Sequence, residues 1–395
     1  MRFDAKTFRI TEPGSIGSRA LVAGIAGLVL SAVGWVVDAD RFFHAYLTAA
    51  VCWLAIALGA LFFVMLHHLV SARWSVVLRR LAENIMMTIP YLAILFIPVM
   101  FGLGHLYHWS HPEVVAADEL LKGKSGYLNV PFFIIRTVIY FTIWSLLARY
   151  LYRASVKQDA GYVQEDVDKI KRISAGGMIV YALTVTAAAF DWLMSLDPHW
   201  YSTIFGVNYF AAGLLTFVSF LALVALVLRR SGVLKETITV EHYHDLAKLM
   251  FAFTIFWTYT NFSQYFLIWY GNIPEETIWY ADRWVGSWVT ISMIVLFGHF
   301  VFPFIGLMTR GSKRTLPWIG FMAIWLVVMH YIEMYWLVYP SYSEHGASFG
   351  WQEPVTFLGI GGIVVWRIWV NLAAQATVPV SDPKLDGSIN HVNPF

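Results

Sequence analysis

The stretch FHAYLTAAVCWLAIALGALFFVMLHHL, residues 43–69, runs for 27 residues without an Asp, Glu, Lys or Arg. A helix needs about 20 apolar residues to cross a bilayer core. The run shows no alternation with period two, so it reads as a membrane helix and not as a barrel strand. Working outward, the same reading applies to ten stretches in all, at about 18–37, 42–70, 85–107, 130–152, 174–196, 204–230, 247–270, 284–308, 316–339 and 353–377. The expected fold is an all-helical, ten-span integral membrane protein, with a polar arm at 1–17 and a polar tail at 378–395 that lie along the surface or dock on a neighbour.

Composition agrees with that expectation. The 395 residues are 58% hydrophobic and 13% charged, with a mean hydropathy of +0.62, values that a soluble domain with a solvated surface does not sustain. The first apolar run, Ala20 to Val37, is long and lacks a small-residue cleavage signature, so it is expected to stay as a span. The lone cysteine, Cys52, excludes intrachain disulfides, cysteine-rich iron–sulfur ligation and C-x-x-C-H haem attachment. Nothing in the charge pattern supports nucleic-acid binding.

The basic residues set an expected orientation. Lys and Arg gather in the arm (Arg2, Lys6, Arg9, Arg19) and in the even-numbered connections, for example Arg73, Arg79 and Arg80, then Arg149, Arg153, Lys157, Lys169, Lys171 and Arg172. The odd-numbered connections hold only Arg41, Lys122, Lys124 and Arg283. The positive-inside rule then puts both termini in the cytoplasm. The acid- and aromatic-rich turn DWLMSLDPHWYSTIFG, residues 191–206, falls on the outer side, where Trp200 and Tyr201 suit an interfacial belt. Helices 2–5 and 6–9 are expected to form two four-helix bundles related by an axis along the membrane normal, with helices 1 and 10 peripheral. Echoes between RRLAENIM and HDLAKLMF, and between YHWSHPE and YGNIPEE, are the thin sequence support for that repeat.

Ionisable residues inside the spans are the candidate functional groups, because they are costly in lipid and face the bundle interior or a wet cavity. Counted along the helix axis, Arg136, Asp191 and Glu333 fall about 7–9 Å to the outer side of the midplane and could share one layer. His330 lies on the face of Glu333, three residues away. Two readings stand side by side: a proton relay through these groups, or a static Arg136–Asp191 pair that ties two helices together. On the inner side, His67, His68 and His299 could supply a second half-path, with Asn261 and Gln264 in the middle; His67 and His68 could equally meet headgroups and water. No facing histidine pair suits haem. His105, His108 and His111 form a histidine-rich turn without a thiolate, so no metal site is expected.

FHAYLTAAVCWLAIALGALFFVMLHHL, LFIPVMFGLGHLYHW (residues 95–109) and DWLMSLDPHWYSTIFG together resemble the ActF-type subunits of alternative complex III. Those subunits belong to the NrfD-like, or polysulfide-reductase membrane-subunit, family. The resemblance implies a multi-pass subunit of a respiratory quinol:electron-acceptor oxidoreductase in the bacterial cytoplasmic (inner) membrane. It implies partners: an ActC-type NrfD-like membrane subunit, an iron–sulfur subunit and multihaem cytochrome c subunits; it also admits a terminal oxidase. Haem c and iron–sulfur clusters would then sit on those partners, with quinol as the substrate of the complex and no cofactor on this chain. Direct quinone binding through His44, Arg136 or Asp191 is the alternative. A proton-coupled secondary transporter is a further one; it predicts helices broken near the midplane, for which Pro90 and Pro98 are the candidates.

Overall fold

The computed structural model describes residues 4–11, 14–343 and 346–393; Arg2 of the arm and the last two residues of the tail lie outside them. The described residues form helices and loops, without a strand. The long elements are α1 (Ile16–Val37), α2 (Ala39–Leu69), α3 (Val76–Phe101), α4 (Val130–Lys157), α5 (Gln164–Trp192), α6 (Phe205–Arg230), α7 (Val240–Gly271), α8 (Trp288–Gly306), α9 (Leu316–Val338) and α10 (Gln352–Ala374). Among the described residues, nine of these are long and apolar enough to cross a membrane. The exception is α7, which is long enough at 32 residues but is diluted by Thr, Asn, Gln, Trp and Tyr. The chain is therefore built as a multi-pass membrane protein.

Helices α2 and α6 form the centre. Their most apolar windows are 89% and 78% buried, so those side chains meet protein and not lipid. They cross where Gly59 and Gly213 let the backbones close up: a Cβ on Gly59 would stand 2.9 Å from the Gly213 carbonyl oxygen. Around this pair, α2 contacts α3, α5, α9 and α10, while α6 contacts α5, α7 and α9. Helix α1 packs chiefly on α10 through Gly24, Gly27, Gly359 and Gly362, and a Cβ on Gly27 would lie 2.6 Å from the Gly359 Cα. Without a hydrophobic force between helices in lipid, such close backbone approach is what holds two spans together. From Val22 onward the other face of α1 (Val22, Ile25, Val29, Val36) is exposed and apolar.

Two helices are irregular. In α3, Pro90 and Pro98 each remove an N–H and push on the carbonyl four residues back, so the run breaks into Val76–Met86, Ile89–Leu95 and Ile97–Phe101. The Tyr46 hydroxyl donates to the Leu95 carbonyl at 2.7 Å at the second break. In α8, residues Val295–Val301 take a π-helical register just ahead of Pro303, and the Trp325 indole donates to the Gly298 carbonyl at 2.7 Å. Helix α7 has no break.

Several helix ends differ from the sequence expectation. α3 begins at Val76, not near 85, because Arg80 and Glu83 pair with each other at 3.0 Å and with that pairing enter the core fully buried. α5 begins at Gln164, ten residues early, as a polar extension. Arm and tail meet at one end of the molecule, hereafter the terminal end: Thr377 donates its N–H to the Phe8 carbonyl at 2.8 Å. The tail also packs inward, with Leu385 fully buried and the Ser388 hydroxyl donating to the Trp74 carbonyl at 2.7 Å. At the opposite, far end, Trp200 is not an interfacial residue. It is 2% exposed and stacks on Trp279 at 4.4 Å, whereas Tyr201 is 61% exposed.

Candidate functional site

The buried polar residues fall into separate clusters. On α4 and α5, Arg136 grips Asp191 with both arms of its guanidinium, Nε to Oδ2 at 2.8 Å and Nη2 to Oδ1 at 2.9 Å. The Tyr140 hydroxyl donates to Oδ2 at 2.8 Å, and Arg136 Nη1 donates to the Tyr127 carbonyl at 2.8 Å. Arg136 also stacks over the Tyr127 ring at 3.8 Å. A bidentate fork of this kind is both strong and geometrically fixed. Asp191 is fully buried, with both oxygens occupied.

Glu333 stands apart from that pair, among α7, α8 and α9. Its Oε1 accepts from the Trp257 indole at 2.6 Å. Its Oε2 lies 3.3 Å from His330 Nδ1 and 3.5 Å from His299 Nδ1. Both histidines are fully buried, and the His299 ring lies 4.2 Å from the Trp257 ring. His299 is presented by the π-helical turn of α8. It was expected in an inner half-path, and the structure instead brings it to Glu333. Among the described residues no hydrogen bond or ion pair joins Glu333 to Arg136 or Asp191. The lateral neighbours of Glu333 are thus His299, His330 and Trp257, and those of Asp191 are Arg136 and Tyr140.

A small cavity of about 10 Å3 touches Glu333 and is lined by Asn208, Asn261, Gln264, Trp279 and Leu337, among others. Gln264 Oε1 accepts from Asn208 Nδ2 at 3.1 Å and from Ser202 Oγ at 2.9 Å, and Gln264 Nε2 donates to the Tyr280 hydroxyl at 2.9 Å. Asn261 turns back to the Trp257 carbonyl at 3.0 Å. Gln264 thus belongs to the far half, bonded to the turn after α5, and not to the middle. About one water fits such a cavity, next to a carboxylate and amides that can hold it.

His67 and His68 are not linked to this group. They border a cavity of about 150 Å3 at the terminal end with Arg79, Lys171, Asp382 and Lys384, and His67 Nδ1 contacts the Phe63 carbonyl at 2.7 Å. His44 lies elsewhere again, 5.2 Å from the Tyr342 ring and with Nδ1 on the Asp40 carbonyl at 2.7 Å; among the described residues no hydrogen bond or ion pair joins it to Arg136 or Asp191. No group of three or more His, Cys, Asp and Glu that could hold a metal occurs among the described residues.

Three buried charged groups escaped the sequence reading. Arg80 pairs with Glu83 and, at 3.0 Å, with Asp159. Glu353, fully buried at the start of α10, accepts from Arg41 Nε at 2.8 Å and from the Tyr339 hydroxyl at 2.7 Å. Arg283 is 4% exposed and donates to the Trp279 carbonyl at 2.7 Å and the Leu337 carbonyl at 3.3 Å. All lie at span ends, where charge is normal in a sequence; no local signal marks them as buried. The chain matches no protein-family model and no curated protein.

Proposed function

We propose that this chain is a membrane subunit of a quinol:electron-acceptor oxidoreductase of the alternative complex III type, that it scaffolds the complex, and that it conducts protons through Glu333, His299 and His330. The observation that carries the proton part is the setting of Glu333. Within ion-pair distance it has two histidines and, among the described residues, no Lys or Arg. Such a carboxyl can change protonation without stranding a buried cation; Asp191 would strand Arg136. In this reading Arg136–Asp191 is the structural tie between α4 and α5.

The subunit role rests on the resemblance in α2, α3 and the turn after α5. In this reading α7 is a tenth span, α2–α5 and α6–α9 are the two bundles, and α1 and α10 are peripheral. The concentration of Lys and Arg at the terminal end favours cytoplasmic termini in a bacterial inner membrane. A single buried cysteine agrees with redox centres, haem c and iron–sulfur clusters, carried by partner subunits.

The test is the purified complex carrying Glu333→Gln, reconstituted in liposomes. Normal yield with slowed quinol oxidation and reduced proton release is expected. Unchanged turnover and proton release would remove the proton role, and a chain that purifies without haem- or cluster-bearing partners would remove the subunit role.

A further inference from the structure

At the far end, a vestibule of about 440 Å3 opens between the turn after α5, the helix Pro274–Ala281 and the end of α9. Its rim carries exposed His108 and the His199–Asp118 pair, with His199 Nε2 2.6 Å from Asp118 Oδ2, a contact that holds the Asp118 carboxyl below the ordinary carboxylate range. Its floor includes Trp279, Leu337 and Arg283. Trp279 and Leu337 also wall the small cavity beside Glu333, so the same two side chains bound both spaces. Arg283 holds the carbonyls of these two residues, and its guanidinium lies 3.5 Å over the Trp279 ring and 5.0 Å over the Trp336 ring.

We propose that this vestibule is the aqueous end of the Glu333 proton path, and that Arg283 is the positioning residue that keeps Trp279 and Leu337 closed between vestibule and cavity. The inference rests on the proton role of Glu333. One side chain bridging carbonyls 58 residues apart ties the helix Pro274–Ala281 to the end of α9, so moving Arg283 removes the tie shared by both halves of the wall. Burial lowers the Arg283 guanidinium to about 9, which leaves it cationic at neutral pH. A fixed cation beside the wall also opposes free passage of hydronium, as in selective pores. The path beyond the wall is then the network of Gln264 and Asn208, which line the cavity with Glu333, and Ser202, which donates to Gln264.

The experiment is thiol labelling of the full chain in nanodiscs, both faces open, in a Cys52→Ser background with a membrane-impermeant maleimide. Ile278→Cys reports the vestibule, which Ile278 lines at 51% exposure; Asn208→Cys reports the cavity. With Arg283 intact, the cysteine at 278 should react and that at 208 should not. Arg283→Ala should speed labelling at 208 by about tenfold or more, as expected when a rarely populated open state becomes common. Leu337→Ala, which removes part of the wall and keeps the arginine, should do the same, and serves if Arg283→Ala does not fold. Protection of 208 in both variants while 278 still reacts, or free labelling of 208 with Arg283 intact, would overturn the gate. Labelling needs no proton movement, so it is distinguishable from failure of the Glu333 reading: an opening wall in a complex whose proton release ignores Glu333→Gln sinks the path and not the wall.

Discussion

Two buried carboxyls of this chain differ by their partners. Asp191 is locked by a bidentate arginine and a tyrosine, whereas Glu333 is met by an indole and two imidazoles. Replacing Asp191 by Asn leaves Arg136 buried and unpaired, which costs about 3–5 kcal/mol. Asp191→Asn should therefore lower chain yield and thermal midpoint sharply, while Glu333→Gln, which keeps an acceptor for Trp257, should change both little. Equal thermal midpoints for the two variants, measured by fluorescence in detergent, would contradict this division. The Arg136–Asp191 partnership was readable beforehand because a lone arginine and a lone aspartate at matching depth have few other ways to be satisfied. His330 beside Glu333 was readable as well, from the three-residue spacing on one helix face; His299 was not, since it reaches Glu333 through a π-helical turn that no residue pattern announces.

At the scale of elements, glycines decide which helices touch. α1 and α10 meet where Gly24 and Gly27 face Gly359 and Gly362 with backbone atoms in contact. A side chain on Gly27 or Gly359 must displace backbone, which packs too rigidly to yield; overpacking costs about 1–3 kcal/mol. Gly27→Val should detach α1 from α10, seen as loss of a disulfide engineered between those helices, while the α2–α6 core remains folded by protease resistance. Retention of the crosslink would show that the pair tolerates separation. The prolines act as expected on α3. Its early start at Val76 was missed because Arg79, Arg80 and Glu83 look like a solvated connection until Asp159 and Asp382 are seen to neutralise them.

At the scale of the whole molecule, the terminal end is closed by the tail. Asp382 binds Arg79 at 2.6 Å, Ser388 links α3 to His242 of α7, and His391 and Asn393 both reach Asp245. Removing the chain from residue 380 onward should expose Arg79, His242 and Asp245 together, lowering the thermal midpoint and speeding proteolysis at the terminal ends of α3 and α7. A truncated chain as stable as the full one would mean that these contacts add nothing net, as many exposed ion pairs do.

Hydropathy alone determined that the chain is helical and multi-pass, because lipid leaves backbone polar groups no partner except their own helix. Spacing along a helix was likewise in the sequence: about 1.5 Å of rise per residue sets how far apart two groups on one helix lie along its axis. Azimuth and neighbourhood were not. Arg136 with Asp191, Glu333 with His299, Glu353 with Arg41 and Arg283 with Leu337 are meetings between distant segments. Which of them occur depends on how each helix is rotated and which helix stands beside it. Those choices are made by backbone contacts such as Gly59 with Gly213, by the π-turn of α8 and by the tail, and only packing in three dimensions resolves them.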